Sequence, residues 1–303
     1  MKELSAVALF AAAFVLAGAS AAQAATPRAV NVAAIGDSYA AGTGAGDYQP
    51  GTEGQCWRSA NSASSDLVAK LRAVNVRVNF ADVACSGASI SDLDQPFRGE
   101  PAQLDSLNAK TDVVILTIGA NDVSFPAYGG LCIVDDCSGD ATTAELERIP
   151  AMQANLTTLL GTIAHRSPHA QIVLAGYGRQ LNPGPNATGV QLDPICADGV
   201  ITADERTDGN KVSFAIDTAL RSAGAAAKSS GVKVTYVSPY KADGTVKASF
   251  AGHSLCAAQG PYYRGLEALA PGQEGGAAVL HLNADGQAAI AELIECAALA
   301  ALH

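Results

Sequence analysis

Four short clusters hold the residues from which an acyl-transfer site could be built: Gly36-Asp37-Ser38, Ser86-Gly87-Ala88, Gly119-Ala120-Asn121-Asp122 and His281-Leu282-Asn283-Ala284-Asp285-Gly286. That chemistry needs a nucleophile, a base within hydrogen-bond reach of it, and donors aimed at the oxygen that gains charge. Ser38 offers a hydroxyl, His281 an imidazole, and the Ser38 and Gly87 N–H groups and the Asn121 amide offer donors. Gly-Asp-Ser taken alone reads first as a helix cap, since Asp and Ser are favoured there. The other clusters turn the reading toward catalysis.

The elements that must position these residues follow from hydropathy. Each of the first three clusters closes an apolar, Val/Ile-rich run: 29–35, 76–83 and 112–118. Runs of that kind suit strands buried on both faces. Two more strands are predicted at 170–177 and 232–237, with helices over 62–74, 143–165, 204–229 and 283–302 and a short one over 101–108. Strands alternating with helices imply an α/β protein, a three-layer α/β/α sandwich around a five-stranded parallel sheet with right-handed crossovers. In such sheets ligands bind beyond the carboxyl ends of the strands, where the first three clusters fall.

Among the five histidines, His165 and His169 flank a helix end, and His303 is terminal. His253 sits beside Cys256 on a loop and is a second candidate for lining a cleft. His281 precedes a helix that Asn283 can cap, which brings it to the rim of the strand ends.

Lys2, an apolar run from Leu4 to Ala17, and Ala22-Gln23-Ala24 read as a secretory signal peptide over residues 1–24, leaving one domain over 25–303. The apolar run is shorter than the roughly 20 residues a bilayer span needs. The expected protein is secreted, with no stable membrane insertion. A net charge of −10 disfavours nucleic acid or an anionic lipid surface as a partner. Seven cysteines in an exported chain point to disulfides with one thiol left over. Many pairings are open; sequential ones are simplest, joining Cys56 to Cys85, Cys132 to Cys137 and Cys196 to Cys256 and leaving Cys296 free. The cysteine spacing contains no Cys-x-x-Cys pair, and no His lies near Cys132 and Cys137, which argues against zinc.

In their order, the four clusters resemble the blocks of the SGNH hydrolases, or GDSL lipases and esterases, and the likeness covers nearly the whole mature chain. The cysteine spacing and Gly252-His253 look like the secreted actinobacterial branch. The resemblance implies the flavodoxin-like fold of that family, Ser38 as nucleophile, His281 as base, and Ser38 N–H, Gly87 N–H and Asn121 as the oxyanion hole. It implies a secreted esterase or lipase that hydrolyses carboxylic esters, taking a small-molecule or lipid ester as a monomer and needing no metal or cofactor. A carbohydrate acetyl esterase and a non-catalytic binding module on the same fold are the alternatives. With aromatic residues at 5%, the composition favours aliphatic acyl esters over sugars. One departure stands out. Family members commonly carry an Asp three residues before the His, whereas this chain has Ala278, so the resemblance implies a Ser-His dyad whose imidazole is oriented by a main-chain carbonyl. Glu274 is the nearest acid in sequence to Ala278. A base with no carboxylate partner is expected to titrate near the reference imidazole value of about 6.5.

Overall fold

A computed structural model describes residues 28–299; the expected signal peptide lies outside them. Five parallel strands, β1 (Val30–Gly36), β2 (Val78–Asp82), β3 (Val113–Thr117), β4 (Gln171–Ala175) and β5 (Val234–Val237), form one sheet in the order β2-β1-β3-β4-β5. Val32 pairs with Val113 and Val30 with Val78, which aligns the ends of β1, β2 and β3 on one edge. The helices are α1 (Ser38–Ala41), α2 (Ala63–Ala73), α3 (Phe125–Val134), α4 (Asp140–Arg166), α5 (Ala203–Ser229) and α6 (Ala284–Leu299). α2 and α6 pack together, as do α4 and α5, so the helices cover the sheet in two pairs. This is the α/β sandwich expected from the sequence.

The core explains the continuous apolar runs. Val114, Leu116, Val173 and Leu174 in the central strands are fully buried, as are Leu67, Leu156, Leu160 and Leu220 from the helices. Each such side chain contributes about 1.5–3 kcal/mol on leaving water.

Several boundaries differ from the periodicity. The helix expected over 101–108 is a single 3₁₀ turn at Gln103–Ser106. α4 starts at Asp140, ahead of the apolar stripe. The segment around Cys132 to Cys137 is the end of a helix the sequence did not announce. α3 contains Gly129-Gly130 and has no polar face, so its sequence shows no helical period. Pro126 at its start and the Cys132–Cys137 disulfide at its end hold it in place.

Cys56 is joined to Cys85 and Cys196 to Cys256, and Cys296 is an exposed thiol. The Cys56–Cys85 bridge spans 29 residues and ties the loop after α1 to the end of β2 beside Gly87. Closing a loop of that length contributes about 3–4 kcal/mol in the chain-entropy account.

Candidate active site

β1 ends at Gly36 in a conformation with φ of +132°, and a Cβ there would lie 2.0 Å from the Thr117 carbonyl oxygen of β3. Only glycine allows the two strand ends to approach this closely. The buried amide of Gln103 brackets the same residue, accepting from Gly36 N–H at 2.7 Å and donating to Gly36 C=O at 2.9 Å. Asp37 then caps α1 by accepting from Tyr39 N–H at 3.0 Å. The capping reading of Gly-Asp-Ser therefore holds for Asp37, and it sets Ser38 as the first residue of the helix.

Ser38 Oγ lies 2.7 Å from His281 Nε2. On the other side of the ring, Nδ1 is 3.2 Å from the Val279 carbonyl oxygen. With Nδ1 donating to that carbonyl, Nε2 is free to accept the serine proton. Glu274 is engaged elsewhere: it forms an ion pair with Arg264 at 3.1 Å and accepts from Tyr48 at 3.0 Å. Burial lowers the pKa of His281 from 6.5 to about 4, outweighing the opposite pull of the Val279 hydrogen bond. This corrects the expectation of an ordinary imidazole, because the sequence does not show how tightly the ring is enclosed.

Asn121 follows β3, and its Nδ2 donates to Ala88 C=O at 2.8 Å. That bond orients the amide and leaves its second hydrogen for the cavity. The Asp122 carboxylate accepts from Ile90 N–H at 3.1 Å, tying the turn after β3 to the turn after β2. Gly87 has φ of +87°, and its N–H, like that of Ser38, donates to no protein group among the described residues. Ser38, Gly87, Asn121 and His281 all line one cavity of about 500 Å³. Phe125, Ile133 and Val134 of α3, together with Leu181, Leu266 and Leu280, make most of its wall apolar. His253 is not part of that wall; it stacks on Tyr262 and bonds to Gly260 C=O. Among the described residues, no three His, Cys, Asp or Glu side chains are placed to hold a metal ion.

A hydroxyl, a neutral imidazole and convergent N–H donors around an apolar cavity are the parts that acyl transfer requires. The profile of the GDSL-like Lipase/Acylhydrolase family matches residues 34–289, the span that includes all four clusters. The chain belongs to this family. It is 31% identical over 245 residues to Lipase 1 of Streptomyces coelicolor, covering 80% of this chain and 79% of that one. It is 32% identical over 249 residues to a lipase of Streptomyces rimosus, covering 80% of both chains. The crystal structure of the extracellular lipase of Streptomyces rimosus superposes with a TM-score of 0.64 at 26% identity, over 90% of this chain and 100% of that one. The protein is a carboxylic ester hydrolase of the GDSL type.

Around the four clusters of this GDSL hydrolase stand residues that sequence reasoning missed. Tyr177, at the end of β4, donates to Asp37 and accepts from Ala120 N–H at 2.9 Å, so one hydroxyl joins the Ser38 turn to the Asn121 turn. Burial pushes the Asp37 carboxyl up to about 7 despite those hydrogen bonds. Tyr39 packs its ring 5.0 Å from His281 and donates to Leu280 C=O at 2.6 Å. Tyr39 adjoins Ser38 in sequence, and that adjacency was the one available signal. Nothing in the chain announces Tyr177 or Gln103, whose partners are 140 and 67 residues away.

Proposed function

We propose that this GDSL hydrolase is a secreted esterase or lipase working through a Ser38–His281 dyad on aliphatic acyl esters. Ser38 Oγ attacks the ester carbonyl while His281 Nε2 takes its proton and then delivers it to the departing alcohol. Water, deprotonated by the same nitrogen, attacks the acyl-enzyme and releases the carboxylic acid. The N–H groups of Ser38 and Gly87 and the Asn121 amide hold the negative oxygen of each tetrahedral intermediate. The Val279 carbonyl fixes the imidazole tautomer in place of an acid. The observation that carries this reading is the 2.7 Å approach of Ser38 Oγ to His281 Nε2, with Nδ1 turned to a main-chain carbonyl.

The apolar wall supplied by α3 favours an acyl chain over a sugar, and the relatives named above are lipases. The Streptomyces rimosus enzyme is described as extracellular, and the sequence of residues 1–24 reads as an export signal, which together support secretion. Among the described residues no helix is long and apolar enough to cross a membrane. A chromogenic ester series from acetyl to palmitoyl tests the reading. Ser38→Ala is expected to cost about 10⁴-fold or more in kcat on the preferred ester with the circular dichroism unchanged. Activity within tenfold of wild type would overturn the dyad.

A further inference from the structure

Ser38 and Asn121 follow different strands, yet in the proposed mechanism both must meet the same ester carbonyl. The last main-chain bond between the two strand ends runs from Asp37 N–H to Thr117 C=O at 3.0 Å. Past it, Tyr177 is the one hydrogen-bonded bridge between the two turns among the described residues. Its two contacts fall on the residue before Ser38 and the residue before Asn121. The other bonds of the Asn121 turn go to Ala88 and Ile90, after β2, and do not set its distance from Ser38.

The direction of each bond is determined. Ala120 N–H can only donate, so the Tyr177 oxygen accepts it, at 2.9 Å, and the single phenolic hydrogen is left for Asp37 Oδ2. Asp37 Oδ1 already receives Tyr39 N–H. Asp37, Ala120 and Tyr177 are all buried, so bulk water does not replace a bond lost there. The tyrosine is held in turn: Tyr39 meets its ring edge-on at 4.9 Å, and the Tyr263 hydroxyl donates to its carbonyl at 3.2 Å. With β3 lying between β1 and β4, Tyr177 reaches past the end of β3 to touch Asp37, a span of two strand spacings or roughly 10 Å. Phe has the ring and lacks the atom that closes the span.

We propose that Tyr177 is a positioning residue that sets the separation between Ser38 and the Asn121 amide, so that the attacking hydroxyl and the donor for the resulting charge fit around one carbonyl. This inference rests on the dyad and oxyanion-hole reading given above. Such a donor is effective at about 2.7–3.1 Å from the oxyanion, so a small shift of the Asn121 turn weakens the transition state. Tyr177 does not line the cavity, and ground-state binding should be spared.

The test is a double-mutant cycle of Tyr177→Phe and Asn121→Ala on one chromogenic butyrate ester, with competent sites counted by a serine-reactive phosphonate run to completion. Alone, Tyr177→Phe should lower kcat about tenfold with KM within twofold. In the Asn121→Ala background the same change should cost less than about threefold, because the donor whose place it sets is gone. Losses that multiply, a loss carried by KM, or a kcat within twofold of wild type would each overturn the positioning role. Where Tyr177→Phe yields no folded enzyme, Asp37→Asn replaces it in the same cycle and is judged by the same outcomes. Its amide has one oxygen, which cannot serve both Tyr39 N–H and the Tyr177 hydroxyl as the two carboxylate oxygens do. An Asn121→Ala enzyme as active as wild type would instead overturn the oxyanion-hole reading on which the inference rests.

Discussion

The Tyr39 hydroxyl donates to the Leu280 carbonyl across 2.6 Å, joining the residue after Ser38 to the residue before His281. Leu280 has φ of +63°, a conformation that costs a non-glycine residue about 1–2 kcal/mol. That turn is what allows the Val279 carbonyl to face the ring of His281 two residues on. Tyr39 is itself held, because its oxygen accepts from Gln180 at 3.1 Å and Gln180 accepts from Ser213 at 2.9 Å.

Tyr39→Phe keeps the ring against His281 and removes only the hydroxyl, so the prediction is narrow. kcat should fall about tenfold with KM within twofold, since losing one oriented hydrogen bond costs about 1–1.5 kcal/mol. A parallel rise in KM with kcat unchanged would place Tyr39 in substrate binding instead.

Asn121→Ala addresses the oxyanion hole. The amide is pinned by Ala88, and in the proposed mechanism it meets charge that exists only in the transition state. The expected loss is about 10² to 10³ in kcat with little change in KM. Steady-state kinetics on one chromogenic ester decides it, and a change confined to KM would refute the assignment.

Glu274→Gln separates a structural acid from a catalytic one. Glu274 pairs with Arg264, whose main chain exchanges hydrogen bonds with Leu280 and His281 at 2.8 Å each. It supports the loop without touching the imidazole. Activity should stay within about tenfold of wild type, whereas removing the acid of an Asp-dependent triad costs about 10⁴-fold. A loss of several hundredfold with the fold intact would make Glu274 a partner of the base.

What the sequence could disclose was decided by distance along the chain. β1 to β5 and the turns after β1, β2 and β3 were legible because buried strands are continuous apolar runs and the reactive residues sit at their ends. The catalytic contact was legible only as types and order, since Ser38 and His281 are 243 residues apart. α3 was illegible because paired glycines and an apolar face erase the helical period. Tyr177 and Gln103 were illegible because each acts through one polar atom on a partner set by the sheet order. The lowered pKa of His281 comes from enclosure by Tyr39 and the cavity wall, which no local pattern records.

The pH dependence tests that enclosure. His281 must be neutral to accept the Ser38 proton, and burial takes its pKa from 6.5 to about 4. Activity should therefore rise through about pH 4 and show no His281 step near 6.5. The sign for stability follows from the same shift. Between 6.5 and 4 the unfolded chain binds a proton that the folded ring refuses, so this group's contribution is present above 6.5 and is lost as pH falls toward 4. Asp37 works in the opposite sense. Its carboxyl, raised from 3.8 to about 7, holds a proton in the folded state that the unfolded chain gives up, so its contribution is present below 3.8 and is lost as pH rises through 7. Since Asp37 caps the helix that begins at Ser38, its ionisation can put a step near 7 into the rate profile. Asp37→Asn distinguishes the two groups. In wild type and in this variant, kcat/KM measured from pH 3.5 to 9, with circular dichroism at each point, should rise near 4. Any step near 7 should vanish in Asp37→Asn. A step between 6 and 7 that survives the substitution would belong to His281 or to Asp122, whose carboxyl burial raises to about 6, and its persistence in Asp122→Asn would assign it to His281 and show that the imidazole is as solvated as a free one.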